Sequence, residues 1–141
     1  MPVGSKCPSL TYAARVVHVS SVHEMGDVRI LYKECSSLAA AGYDVHLVAS
    51  AQTGQHDIDA EVTLHPIKRR TNRVARFLLS GPSVMWTARK LRPDVVHLHD
   101  PELLVWLFIL PRAVAKIYDV HEDYVSAVAQ KGYIPQSVRR P

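Results

Sequence analysis

Two polar clusters hold the residues best suited to chemistry: His97, His99, Asp100 and Glu102 in one, and Asp119, His121, Glu122 and Asp123 in the other. Imidazoles and carboxylates exchange protons near neutral pH, grip hydroxyl or phosphate groups, and stabilise charge that develops in a reaction. Each cluster ends a β-branched apolar run, residues 94–98 and 115–120, of the kind that forms a strand covered on both faces. The carboxyl ends of such strands are where open α/β sheets bind ligands. His97 and His99 are two apart and so share a face of their strand, with His99 nearer its carboxyl end and the better candidate. Asp100-Pro101-Glu102 also reads as a helix start, with Asp100 as side-chain cap, Pro101 at the first helical position and Glu102 at the positive end of the dipole.

The elements that must position these groups alternate along the chain. Residues 15–20 form a β-branched run, 21–27 a loop containing Gly26 and Asp27, and Val28, Leu31, Cys35, Leu38 and Ala39 repeat at helical spacing until Gly42 ends the helix. Strands are expected at 45–49 and 61–67, with a polar, flexible loop over 50–59 between them. An amphipathic helical pattern follows over 72–91, in which Gly81-Pro82 should kink or divide the helix. Residues 94–98 give the fourth strand, 101–110 a helix apolar on all sides, and 115–120 the fifth strand. Right-handed crossovers then make a single α/β domain, a doubly wound, Rossmann-like and mostly parallel sheet over 15–141 behind a flexible tail, 1–14. All strand ends of a parallel sheet lie on one edge, so both clusters would converge there if their strands are neighbours. Either cluster alone is equally well explained as core filling and helix capping.

The 21–27 loop opens on the same edge. One glycine before a helix start lets an anion approach backbone N–H groups, although the Gly-rich dinucleotide fingerprint is absent. Arg29 and Lys33 share a helix face beside it, where they could hold a phosphate or face solvent. The 141 residues are 48% hydrophobic and 21% charged, enough for one self-sufficient core. Net charge is +4, which favours an anionic partner without naming it. Cys7 and Cys35 alone do not make a disulfide framework, so a reducing, cytoplasmic setting is expected. The longest apolar run, 103–110, is too short to span a bilayer, and the first residues lack a secretory leader.

Three segments together resemble a known family: 27–38 with Ala41-Gly42-Tyr43, then His-Leu-His-Asp-Pro-Glu-Leu-Leu at 97–104, then Tyr-Asp-Val-His-Glu-Asp-Tyr at 118–124. Their order and spacing resemble the N-terminal half of family 4 retaining glycosyltransferases. The resemblance implies the GT-B architecture, in which an acceptor-side and a donor-side Rossmann-like domain face each other across a cleft. It implies transfer of a sugar from a nucleotide-diphosphate donor, as substrate, to a glycan or lipid-linked acceptor, with no resident cofactor and no metal. By resemblance Gly26, Asp27 and Arg29 lie near the donor phosphates, His99 beside Asp100 is the cleft histidine at the transferred sugar, and His121, Glu122 and Asp123 line the cleft. The donor-side motif of the family is absent up to Pro141, so the chain in isolation is expected to be inert. No protein nucleophile is expected, since retaining enzymes of this type rely on charge stabilisation and the donor phosphate.

Lys68, Arg69, Arg70, Arg73, Arg76, Arg89, Lys90 and Arg92 surround the Gly-Pro helix, whose other face is apolar. That pattern suits an anionic membrane surface, placing the protein at the inner face of the plasma membrane, or a solvated basic face. Aromatic residues do not interleave with it, so nucleic acid is not an expected partner. Two rival readings are a stand-alone ligand-binding α/β module, and a metal-dependent hydrolase built on His97, His99, Asp100 and His121.

Overall fold

The computed structural model describes residues 13–51 and 61–120. The expected tail up to residue 12, the 52–60 part of the loop, and His121, Glu122 and Asp123 lie outside the described residues.

Five strands form one sheet: β1 (Arg15–Glu24), β2 (Asp44–Ser50), β3 (Val62–Ile67), β4 (Val95–Leu98) and β5 (Ala115–Tyr118). All pairs are parallel and the order is β3-β2-β1-β4-β5, the doubly wound arrangement expected from the alternating pattern. The chain leaves β1 toward one side to make β2 and β3, and returns on the other to make β4 and β5. The gap between β1 and β4 is therefore the point where the connections diverge.

The first helical run, 28–40, starts with its own cap. Asp27 accepts from the N–H groups of Arg29 and Ile30 at 3.0 and 3.1 Å. Gly42 ends the run with φ at 90°, a conformation that favours glycine. Its buried Ile30, Leu31, Cys35 and Ala39 pack on Val45, Leu47 and Ala49 of one sheet face. Burial, with Glu34 beside it, pushes the Cys35 thiol up to about 12, so it behaves as an inert apolar filler.

The opposite face, with Val17, Val19, Val48, Val96 and Leu98, is covered by a second helical run and a third, short one. The second run, 73–90, is capped by Asn72 and is not divided at Gly81-Pro82. Arg76–Ser80 widens into a π-type turn just before Pro82, which relieves the clash of its ring with the preceding turn. Gly81 has a packing reason. An added Cβ would lie 2.6 Å from Nε1 of Trp106 and 2.8 Å from its Cδ1. Gly81→Ala is therefore expected to lower stability by about 1–2 kcal/mol despite the better helix propensity of alanine, measurable as a lower urea midpoint at unchanged slope.

The third helix, Pro101–Ile109, is apolar on all sides as expected but meets the core on only one of them. It winds with three residues per turn, so Leu103, Trp106 and Ile109 meet the core while Val105 and Phe108 turn outward, Phe108 being 74% exposed. β1 also outlasts its expected end at Ser20, because its pairing with β2 is interrupted after Val19 and resumes, shifted in register, at Glu24 opposite Ser50.

Candidate functional site

Strand register sets the first part of the site. His18 of β1 stands opposite His97 of β4 on one side and Leu47 of β2 on the other, on the face that the first helix covers. His99 continues that face just beyond β4, its N–H bonded to the carbonyl of Val19. The three imidazoles form a closed group, with ring centroids 4.6 Å apart for His97 and His99, 4.8 Å for His18 and His97 and 5.3 Å for His18 and His99. Nδ1 of His18 and Nε2 of His99 share a hydrogen bond of 3.0 Å. From the first helix Glu34 brings Oε2 within 3.7 Å of His99 Nε2 and 3.9 Å of His18 Nδ1. Arg29 bridges Oε1 of Glu34, at 3.1 Å, to Asp119 beyond β5, and Asp119 comes within 3.6 Å of His99 Nδ1.

Burial governs the charge of this group. It pushes His18 down to about 3, with His97 adding to the effect, and His99 also to about 3, with His18, His97 and Arg29 outweighing Asp119. His97 is lowered by burial too, opposed by Asp119. The imidazoles are therefore neutral at physiological pH. His99, 1% exposed, forms the floor of the edge and not its surface.

Asp100 builds the second part. It was expected to cap the third helix, yet its side chain makes no bond there. The carboxylate turns across the sheet, where Oδ2 accepts from the N–H of Ser21 at 2.6 Å, the N–H of Val22 at 3.2 Å and the hydroxyl of Ser20 at 2.9 Å, with Ser21 Oγ 3.3 Å away. The competing donors at the end of β1 are more numerous than those of one helical turn, and they win. Glu102 joins in, accepting from Ser21 Oγ at 2.5 Å and from the Arg76 guanidinium at 2.9 and 3.4 Å, which ties the second helix to the same corner.

His23 links the corner to the first loop, with Nδ1 3.0 Å from Asp27 Oδ2 and Nε2 3.7 Å from Asp100 Oδ1. Burial would raise the Asp27 carboxyl, but the Ile30 N–H, His23 and the Arg29 N–H hold it below the usual range. Asp27 thus supplies the negative group at that helix N-terminus itself. Gly26, Asp27, Arg29, His99 and Asp100 all gather at the carboxyl edge between β1, β4 and β5. Of the rival hydrolase set, Asp100 is engaged with the end of β1 and His97 groups with His99, while His121 lies outside the described residues.

Two members escaped the sequence reading. His18 interrupts an otherwise apolar buried strand, and Glu34 lies four residues after buried Ile30 on the inward helix face. Both are polar residues where pattern demands apolar ones, which is the signal that marks them.

Residues 25–140 of the chain match the model of glycosyltransferase family 4. No curated protein matches the chain.

Proposed function

Because the chain belongs to glycosyltransferase family 4, we propose that it is the acceptor-side half of a retaining enzyme that moves a sugar from a nucleotide-diphosphate donor to a glycan or lipid-linked acceptor. The observation that carries this reading is the gathering of His23, Asp27, Arg29, His99 and Asp100 where β1 and β4 diverge, the place at which doubly wound sheets take their ligands. In this reading the partly exposed His23, Asp27 and Arg29 form the rim that meets substrate, with Gly26 in the same loop. His99 is the floor residue nearest the transferred sugar, and Asp100 holds the β1 corner on which the rim is set. His121, Glu122 and Asp123 would extend the cleft wall. Arg29 supplies positive charge for a phosphate, and no resident cofactor is required.

Most donor contacts would come from a second domain, so the test is calorimetric titration with UDP, GDP and their sugar conjugates. Binding is expected only for the longest polypeptide that the reading frame encodes, and not for the 141 residues alone. Tight binding by the short chain would make it a complete nucleotide module, and silence from both would remove the transferase reading.

A cytoplasmic, membrane-facing placement fits the same reading. Among the described residues no helix is long and apolar enough to cross a membrane. Val74, Phe77, Leu78, Val105 and Phe108 are exposed, with Lys68, Arg69, Arg70 and Arg73 nearby in sequence, which suits an anionic lipid surface. Co-sedimentation with vesicles should rise when anionic lipid is included, and equal sedimentation with neutral vesicles rejects the placement.

A further inference from the structure

The imidazole group under the first helix has the composition of a metal centre. His18, Glu34, His97 and His99 each offer one donor atom, and the four atoms lie within 4.8 Å of one another. The separations are 3.0 Å between His18 Nδ1 and His99 Nε2, and 3.7, 3.9 and 4.0 Å from Glu34 Oε2 to His99, His18 and His97. A tetrahedral ion with arms of about 2.0–2.1 Å holds its ligands roughly 3.3 Å apart, so the set must contract, by up to about 1.5 Å across its widest pair, to close the shell.

The surroundings favour the same arrangement. Asp119 faces His99 Nδ1 at 3.6 Å, where it can hold that nitrogen's proton and leave Nε2 to bind. Among the described residues buried His18 Nε2 has no hydrogen-bond partner, and it takes the His18 proton when Nδ1 turns to a metal, so binding needs no proton release from His18. Arg29, a positive charge beside the group, is engaged with Glu34 Oε1 and Asp119, and Glu34 Oε2 lies on the imidazole side.

We propose that His18, Glu34, His97 and His99 bind one zinc-class divalent cation, fastening β1, β4 and the first helix together. Three imidazole nitrogens and one carboxylate oxygen are a borderline-soft set that suits zinc above magnesium or calcium. Four protein ligands leave no position for a reactive water, so the ion stabilises the domain and does not activate a nucleophile. His99 is shared with the proposed transfer site, so the assignment is read from binding and stability measured without any sugar.

The test uses tag-free protein stripped with EDTA and titrated with zinc alone. One equivalent should bind, with the melting temperature raised by about 5–10 °C at zinc a hundredfold above its dissociation constant, and cobalt should give the visible bands of a tetrahedral site. His97→Gln, at the least buried of the three histidines, and Glu34→Gln should each weaken zinc at least about 100-fold while keeping the circular dichroism of the metal-free protein. His65→Gln, which alters the separate His46–His65 pair on β2 and β3, should bind as the parent does. Failure of the parent to bind one equivalent, or full binding by both His97→Gln and Glu34→Gln, overturns the site.

Discussion

Replacing Asp100 with alanine is expected to destabilise the domain by about 3 kcal/mol, seen as a lower urea midpoint with unchanged slope and a melting temperature lower by about 10 °C. The argument rests on what the carboxylate leaves behind. Asp100 is 3% exposed and one of its oxygens accepts from two backbone N–H groups and the Ser20 hydroxyl. The hydroxyl can rotate to another acceptor, but the N–H of Ser21 is fixed by the strand and would be stranded without water. Asp100→Asn, which keeps an acceptor oxygen, should lose only about 1 kcal/mol. A loss below about 0.5 kcal/mol for the alanine variant would mean that the corner reorganises freely, and that Asp100 does not hold it.

Acid should unfold the metal-free protein well before ordinary carboxylate titration. His18 and His99 fall from the usual 6.5 to about 3 in the folded state because burial disfavours the imidazolium. Between those values the unfolded chain binds more protons than the folded one, so stability is complete above pH 6.5 and declines as pH falls toward 3. Each group contributes up to about 1.4 kcal/mol per pH unit, so roughly 2 kcal/mol should be lost between pH 6.5 and 5.5. The groups facing the pair are His97, Glu34, Arg29 and Asp119, and of these His97, itself lowered by burial, adds to the same trend. Urea midpoints measured in EDTA at pH 7.5, 6.5 and 5.5 test this. A flat profile would show that the imidazoles gain protons without opening the fold.

The β-branched runs made the five strands legible, and Gly42 marked a helix end that formed where the pattern requires, while the capping roles of Asp27 and Asn72 came from the structure. His97 and His99 shared a face because strand geometry leaves no other choice. What the sequence withheld was neighbourhood. Nothing local in Val16-Val17-His18-Val19 says that β1 lies beside β4, and only that pairing turns three scattered histidines into one group. Asp100 misled for a related reason, since its best donors are 78–80 residues away while the helix it begins is adjacent. Composition alone did not say which side of the all-apolar third helix meets the core.

The central place of β1 has a consequence for how the molecule comes into being. β1 is made first, yet its partner β4 lies 79 residues later, as the backbone bond from Arg15 to the Asp94 side chain measures. At a synthesis rate of about 5–20 residues per second, β1 waits roughly 4–16 s for that neighbour. In the interval β2 can cover one of its edges, while the other stays open with Val16, Val17 and Val19 uncovered. A nascent chain halted near residue 90 therefore presents the middle of the finished sheet as a bare edge, the surface from which strand-to-strand association between chains begins.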